Sequence, residues 1–321
     1  MSQERSASPK VTVLMSVYNA ERYLAEAIES VLSQTFRNFE FLIINDGSID
    51  KSMEIIESYK DFRIKLISRA NRGLTYSLNQ GIKLAKGKYI ARQDADDVSL
   101  PTRLEREFKM MKNNPEIGMI GSNFITIDEA GHPLKTTRFF THPDDLAVAE
   151  MLSSQFGHGS VMMRKSVLEK VGSYDPKVGY VEDYDLFIRM SRVAKIANVE
   201  EPLYLWRRNP GGISLSNRKL QTKQDFAVRD RAFRQFLKDR KRYKIFSSFH
   251  PFSVSPNPLC YFDKKAVVFR KLAYLYRQEG KRANSIQSLL FAMVLAPWRL
   301  GNYRDLWRVL GDRSSRPIWQ Y

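Results

Sequence analysis

Three carboxylates crowd into four residues at Asp94, Asp96 and Asp97, directly after a short apolar run at 89–91. Like charges this close repel one another unless solvent or a cation relieves them. At the C-terminal end of a buried strand, a divalent cation holding a diphosphate is the natural relief. Hard oxygen donors suit Mg²⁺ or Mn²⁺, and Mg²⁺ typically takes one or two carboxylates plus substrate phosphates. An Asp-x-Asp triplet also arises by chance about once in a chain of this length, as a polar turn ahead of a helix. Pro101 is placed to open such a helix. The meaning of the triplet therefore depends on the elements that position it.

Residues 11–113 alternate strand and helix patterns. Runs at 11–17, 39–44 and 64–67 and the run before Asp94 read as strands. Asn19 is placed to cap a helix whose apolar face is Leu24, Ile28, Val31 and Leu32, spaced i, i+4, i+7, i+8. Asn45-Asp46-Gly47-Ser48 has turn chemistry. Helices follow around Met53 and Ile56 and over 74–85. Strands separated by helices of this length imply βαβ units and a mainly parallel sheet covered on both faces. In such sheets ligands bind beyond the carboxyl ends of the strands. Asn19, Asp46 and Asp94/Asp96 each lie just past a strand end, so one edge collects all of them. Neither a Gly-x-Gly-x-x-Gly nor a Walker A motif occurs. A phosphate at this edge must be held by metal and side chains.

Residues 114–200 are mixed, with strands expected at 120–127 and 160–163 and a short helix at 166–171. A further helix begins near Asp183 and carries Leu186, Met190 and Val193; Asp183 is placed to cap it, favoured by the helix dipole. Trp206-Arg207-Arg208-Asn209-Pro210-Gly211-Gly212 reads as a mobile loop whose cationic pair closes over an anion. Beyond 218 the pattern is helical and basic, interrupted by Pro251, Pro256 and Pro258. A helical hairpin is expected at 264–298, with Phe269, Leu272, Ala273 and Tyr276 on one helix, Gly280 at the turn, and Ile286, Leu289, Leu290 and Met293 on the other. Tyr276, Gly280, Ala292 and Pro297 match tetratricopeptide spacing, but a single unit cannot build a solenoid. The expected organisation is a domain over 1–217 and a basic helical region over 218–321.

Composition narrows the class. The chain has 321 residues, 43% of them hydrophobic, enough for a substantial core. Its one cysteine, Cys260, excludes an intrachain disulfide and a multi-cysteine metal site, and fits a reducing compartment. The longest apolar run, 289–298, is half a bilayer crossing and contains Pro297, so no transmembrane helix is expected. The polar N-terminus does not read as a secretion signal. The net charge of +17 lies entirely in residues 201–321, which hold 25 basic and 8 acidic residues. Such asymmetry implies an anionic partner surface, lipid or nucleic acid.

Residues 13–35, VLMSVYNAERYLAEAIESVLSQT, resemble the opening of family 2 glycosyltransferases with the GT-A fold. So do 41–50 (FLIINDGSID), Asn71-Arg72-Gly73, Asn79-Gln80-Gly81, the acidic run 94–97 with Pro101 and Arg103-Leu104, and Glu182-Asp183. The order and spacing match over about residues 10–210. The resemblance implies an α/β GT-A fold. It implies that Asp46 hydrogen-bonds the base of a nucleotide-sugar donor, with Val17, Tyr18, Asn19, Glu21 and Gly73 around the nucleotide. Asp96 would be the principal metal ligand, Asp94 would hold the ribose or share the metal, and Asp183 would be the catalytic base with Glu182 beside it. His158, in Gly157-His158-Gly159-Ser160, falls where relatives have a polar residue near the acceptor or metal; a satisfied structural histidine is the favoured alternative. Arg207 or Arg208 would meet the diphosphate. The Gln-x-x-Arg-Trp motif of processive relatives is missing, which implies single-sugar transfer.

The function expected is a Mn²⁺- or Mg²⁺-dependent inverting glycosyltransferase. It would move one sugar from a nucleotide-sugar donor, UDP favoured, to a glycan or lipid-linked acceptor in surface polysaccharide assembly. The basic region would dock on the anionic inner face of the cell membrane, making the protein cytoplasmic and peripheral. A nucleic-acid-binding module is the weaker reading, because Phe226, Phe233, Phe236, Tyr243 and Phe246 have core-packing spacing and no recognition motif accompanies them. A catalytically inactive GT-A scaffold is the other alternative, opposed by intact Asp46, Asp94, Asp96 and Asp183.

Overall fold

The computed structural model describes residues 8–150, 154–212 and 216–239, together with 285, 286, 288, 289 and 293. The chain divides into two compact units, Met1–Tyr243 and Lys244–Tyr321. The expected hairpin at 264–298 lies outside the described residues, apart from five helical positions in its second half. No helix among the described residues is long and apolar enough to cross a membrane.

Within the first unit, β1 (Val11–Val17) and β2 (Phe39–Asn45) are almost wholly buried, as strands covered on both faces must be. They pair in parallel, β2 pairs in parallel with β3 (Ile64–Ser68), and β1 with β4 (Tyr89–Gln93). The connecting helices are α1 (Leu24–Leu32), α2 (Ser52–Ser58) and α3 (Leu74–Leu84). Leu24, Ala27, Ile28 and Val31 of α1 pack on Val13, Met15, Phe41 and Ile43 in one continuous core. Glu40 is buried within β2 without strain on the core, because Thr12 Oγ1 and the Lys86 N–H each donate to it at 2.6 Å.

After β4 the sheet changes direction. The short β5 (Val98–Ser99) and α4 (Arg103–Asn113) lead into β6 (Ile117–Ile127), which forms a hairpin with β7 (Pro133–Thr137). Helix α5 (Pro143–Glu150), β8 (Met162–Arg164), α6 (Lys165–Val171), α7 (Glu182–Ser191), β9 (Lys195–Arg207) and α8 (Arg218–Asp239) complete the unit. The order is β3-β2-β1-β4-β8-β6-β9-β5, with β7 attached to β6. Strand β8 is antiparallel to both β4 and β6, and β9 runs parallel to β6.

Several local expectations are corrected. Asn19 does not cap α1: it sits in the left-handed region at φ 49°, and Tyr23 is the N-cap. Asp183 does not cap α7 either; it falls inside the first turn, with Val181 as N-cap. The strand expected at 160–163 is a 3-10 turn over His158–Ser160 followed by β8. Strand β9, unanticipated in the sequence, runs from Lys195 to Arg207 and takes in the first two residues of the loop expected at 206–212. Glu200-Glu201-Pro202 hid it, because proline removes a ladder donor. The structure accommodates them at a register break opposite Ser122 and Asn123, where Asn123 Nδ2 donates to the Glu200 carbonyl at 2.5 Å. Helix α8 packs on α7 inside the first unit.

The chain between β4 and α4 is held by Arg103, which is fully buried. Its guanidinium donates to the Arg92 carbonyl at 2.8 Å, Ser99 Oγ at 2.8 Å, Gln93 Oε1 at 3.3 Å and Glu107 Oε1 at 3.2 Å. Burial outweighs the attraction of Arg103 and pushes Glu107 up to about 7. Replacing Arg103 by Met should cost about 3–5 kcal/mol, because buried partners are left unpaired. Lysine should rescue little, since an ammonium cannot span the same acceptors. Denaturant unfolding of the two variants checks both expectations.

Candidate functional site

The loops after β1, β2, β3 and β4 meet at one edge of the sheet and are stitched to one another by side chains. The Asn19 N–H donates to Ser48 Oγ at 3.1 Å, and Asn19 Oδ1 accepts from the Ile49 N–H at 2.9 Å. Glu21 Oε2 accepts from the Lys51 N–H at 2.9 Å, while its own N–H reaches Asp50 at 3.0 Å. Asn19 and Glu21 thus bind the first loop to the second. Val17 is buried beneath them, and Tyr18 is 53% exposed.

Asp46 lies under the loop that follows β3. The Arg72 and Gly73 N–H groups donate to its two carboxylate oxygens at 2.9 and 2.8 Å, and Arg69 forms an ion pair with it. Arg69 also donates to Gln80 Oε1 and Ser77 Oγ, and Tyr76 stacks against both Arg69 and Arg72. Asp46 is therefore a fixed acceptor, and the Tyr76–Arg72 stack is a flat, partly exposed surface beside it.

The acidic loop is braced from two sides. On one side stands Arg92, fully buried in β4. It donates to the Leu14 carbonyl at 2.9 Å, to Asp94 Oδ1 at 2.5 Å and to His158 Nε2 at 3.2 Å. Because arginine only donates, His158 Nε2 carries no proton, and the Tyr174 hydroxyl at 2.8 Å donates to it as well. Burial and the Arg92 charge hold His158 neutral down to about 3. His158 is thus a buried acceptor within this network. Gly159, next in the chain, is required by close approach: a side chain there would collide with the Tyr204 hydroxyl and Asp94 Oδ2.

On the other side is the end of β9. The Arg207 N–H donates to Asp97 Oδ1 at 2.7 Å and its Nε to the Asp96 carbonyl at 2.9 Å. Its other nitrogens reach the Glu129 carbonyl at 3.2 Å and Glu26 Oε2 at 2.5 Å, over the Tyr23 ring. The expectation of a mobile Arg207 is therefore corrected: the guanidinium is 2% exposed and committed on every side. Arg208 is exposed, with its N–H on the Ile127 carbonyl. Asn209 Nδ2 donates to Asp96 Oδ2 at 2.9 Å.

The electrostatics follow from this packing. Burial and the neighbouring Asp94 raise Asp96 above the usual carboxylate range, against the Asn209 hydrogen bond. Burial, Asp96 and Asp94 raise Asp97 further. Glu182 and Asp183, in the first turn of α7, sit in the same field. Burial and the Asp183 charge push Glu182 up to about 8. Burial and the Asp94 charge push Asp183 to about 6, although Asp183 Oδ1 accepts from the Tyr184 N–H at 2.7 Å. Residues 94 and 183, far apart in sequence, thus repel one another across one cleft.

Asp94 and Asp96 each give one oxygen to a protein donor, Arg92 and Asn209. Among the described residues no group of three or more metal-ligand types converges. That donor set fits Mg²⁺ or Mn²⁺ completed by phosphate and water oxygens. Arg92, Tyr174, Tyr204 and Asn209 went unrecognised in the sequence. A charged residue inside the apolar run of β4 was the available signal for Arg92; Tyr204 was hidden with β9.

Known proteins supply the remaining comparison. The sequence model of glycosyl transferase family 2 matches residues 12–172. A putative glycosyltransferase, EpsE, of Bacillus subtilis is 35% identical over 64% of this chain and 75% of its own. An uncharacterized glycosyltransferase of Methanocaldococcus jannaschii is 39% identical over 62% and 71%. Among solved structures, S. aureus TarS 1–349 in complex with UDP-GlcNAc superposes with TM-score 0.59 at 17% identity, over 96% of this chain and 93% of that one. The mannosyltransferase PcManGT of Pyrobaculum calidifontis, with GDP-Man and Mn²⁺, gives TM-score 0.52 at 16% identity over 98% and 78%. The sheet with its acidic edge is the GT-A arrangement, and the chain belongs to glycosyl transferase family 2.

Proposed function

We propose that this glycosyltransferase is metal-dependent and inverting, and moves one sugar from a nucleotide-sugar donor, UDP favoured, to a hydroxyl of a glycan or lipid-linked acceptor in surface polysaccharide assembly. The observation that carries the reading is the meeting of two carboxylate groups of different origin. One is the acidic loop after β4; the other is the Glu182–Asp183 pair, whose pKa values burial displaces upward, helped by the Asp183 charge at Glu182 and by the Asp94 charge at Asp183. Carboxylates with separated environments are what a reaction needing one base and one cation site requires.

Asp46 accepts from the nucleotide base, beside the Tyr76–Arg72 stack, and Tyr18 flanks the same pocket. TarS binds UDP and UDP-GlcNAc and PcManGT binds GDP-Man, which supports a nucleoside-diphosphate donor here. Asp96 and Asp94 would hold the divalent cation. Bound there, it supplies charge neutralisation for the departing diphosphate. Asp183 takes the proton of the acceptor hydroxyl as its oxygen attacks the anomeric carbon. The new C–O bond forms while the bond to the β-phosphate oxygen breaks, and the nucleoside diphosphate leaves with that electron pair. Attack opposite the leaving group inverts the centre. Glu182 stays protonated longer than Asp183 and keeps the pair from carrying two charges. Arg92, Asn209 and Arg207 fix the loop.

The basic region after residue 200, which holds the entire net charge, would dock on anionic lipid at the inner membrane face, at about 1 kcal/mol for each cation near the surface.

Nucleoside diphosphates should stabilise the protein in the presence of Mn²⁺ or Mg²⁺, by about 2.7 kcal/mol at a hundredfold excess over Kd. Thermal denaturation with UDP, dTDP and GDP reads this, and Asp96→Ala should abolish the metal-dependent part. Asp183→Asn should lower kcat by about 10²–10⁴-fold while preserving that nucleotide shift. The wild-type rate should fall as pH drops through about 6, because the base is lost on protonation and its pKa lies above the ordinary value. A pH–rate profile with its acid limb near 4 contradicts the assignment. Vesicles of phosphatidylglycerol should bind the full chain and release it at high salt, whereas equal binding to phosphatidylcholine vesicles, or none to either, excludes the docking role.

A further inference from the structure

Helix α8 begins nine positions after Asn209, yet it lies along the helix that carries Glu182 and Asp183. Val228 and Ala232 pack with Val181, Tyr184 and Ile188. Arg231 pairs with Asp185, which also accepts from Arg189. Gln221, Gln224, Val228 and Ala232 are spaced i, i+3, i+7, i+11, so they share one helical face.

The polar half of that face has a specific target. The Tyr180 N–H donates to Gln224 Oε1 at 2.9 Å, and Gln221 Nε2 donates to the Tyr180 carbonyl at 3.2 Å. Both backbone groups of Tyr180 are therefore taken by α8. The residue before it, Gly179, has φ +72°, and a Cβ there would lie 2.3 Å from Gln224 Nε2. Local support for this segment is thin. The N-cap of α7 is Val181, which has no side chain able to cap, and the approach includes left-handed residues at Gly172, Ser173 and Gly179. The entry to the first turn of α7 is fixed by two glutamine side chains from a helix forty residues away.

We propose that Gln224, assisted by Gln221, is a positioning residue for the catalytic base: it clamps the Gly179–Tyr180 backbone and so sets where the Glu182–Asp183 turn stands in the cleft. The inference rests on Asp183 being the base, as proposed above. Tyr180 is 38% exposed, so water can replace the amide partner when the glutamine is lost. The fold then tolerates the change, while the turn loses its fixed position. Catalysis is sensitive to such a shift, since a displacement of about 1 Å can cost about a hundredfold in rate.

The test uses the full chain with Gln224→Leu, Gln224→Glu and Asp183→Asn. The assay is release of UDP, with Mn²⁺ present, from whichever of UDP-Glc, UDP-Gal, UDP-GlcNAc and UDP-GalNAc stabilises the wild type most. Hydrogen exchange of the peptide spanning residues 176–184 gives a readout that needs no substrate. Gln224→Leu should speed exchange there and lower kcat about tenfold or more, with the donor KM and the melting temperature close to wild type. Gln224→Glu keeps the acceptor oxygen and should restore both exchange protection and the plateau kcat. Wild-type exchange or wild-type kcat in Gln224→Leu, while Asp183→Asn is inactive, overturns this inference alone. A kcat loss in Gln224→Leu that comes with a collapsed melting temperature also overturns it, as a purely structural effect. Wild-type kcat in Asp183→Asn overturns the base assignment and this inference with it.

Discussion

One buried cation organises the site. Arg92 stands inside an apolar strand with no access to water, where burial works against its charge. Asp94, with help from Tyr174 and Tyr204, reverses that and raises its pKa instead. The same guanidinium bonds the Leu14 carbonyl, so the positive charge is locked to the β1–β4 seam and cannot follow its partners. Everything acidic nearby is then placed relative to a fixed point. Arg92 partly offsets the repulsion felt by Glu182 and Asp183 and keeps His158 neutral. Its charge thus eases the crowding of the carboxylates at 94, 182 and 183.

The second brace is the end of β9. Arg207 has the residue type and the neighbours of a mobile anion-binding loop, but its side chain is buried and held in place. Its charge is spent on Glu26 and on backbone carbonyls, and its N–H holds Asp97. A guanidinium with its donors distributed among acceptors on three segments is a rivet, because moving it would strand several polar groups at once. Asn209, one turn of chain further on, meets Asp96 with a neutral group. The acidic loop after β4 is thus pinned through Asp94 by a cation, through Asp96 by an amide, and through Asp97 by a backbone N–H. That leaves the outward oxygens of Asp94 and Asp96 as the adaptable part.

The first half of the sheet was legible in the sequence because parallel strands covered on both faces are continuous apolar runs, and the helices between them show clear amphipathic spacing. The acids at their ends followed from that topology and from motif resemblance. The second half was not. Strand β9 contains two glutamates and a proline, tolerated only because a register break in β6 absorbs them. Missing β9 meant missing Tyr204, and it turned Arg207 from a brace into an expected lid. Asn19 and Asp183 show a related limit. Both are residue types favoured at helix caps, but each is drawn off by another demand: Asn19 links two loops in a left-handed conformation, and Asp183 sits one step inside the helix, where its carboxylate meets the cleft.

The braces also have an order in time. The family's sequence signature ends at residue 172, and by then every acid of the strand-edge loops has been made. The contacts that fix those acids come later: Asn209 to Asp96 spans 113 residues, and Arg207 to Glu26 spans 181. A chain emerging from synthesis passes through a stage in which the sheet edge is complete and its negative charge is only half restrained. Closing such long loops is slow compared with forming the local βαβ units. The bracing contacts are therefore complete only after the last strand is made, and a chain ending at residue 172 carries the signature of the family without them.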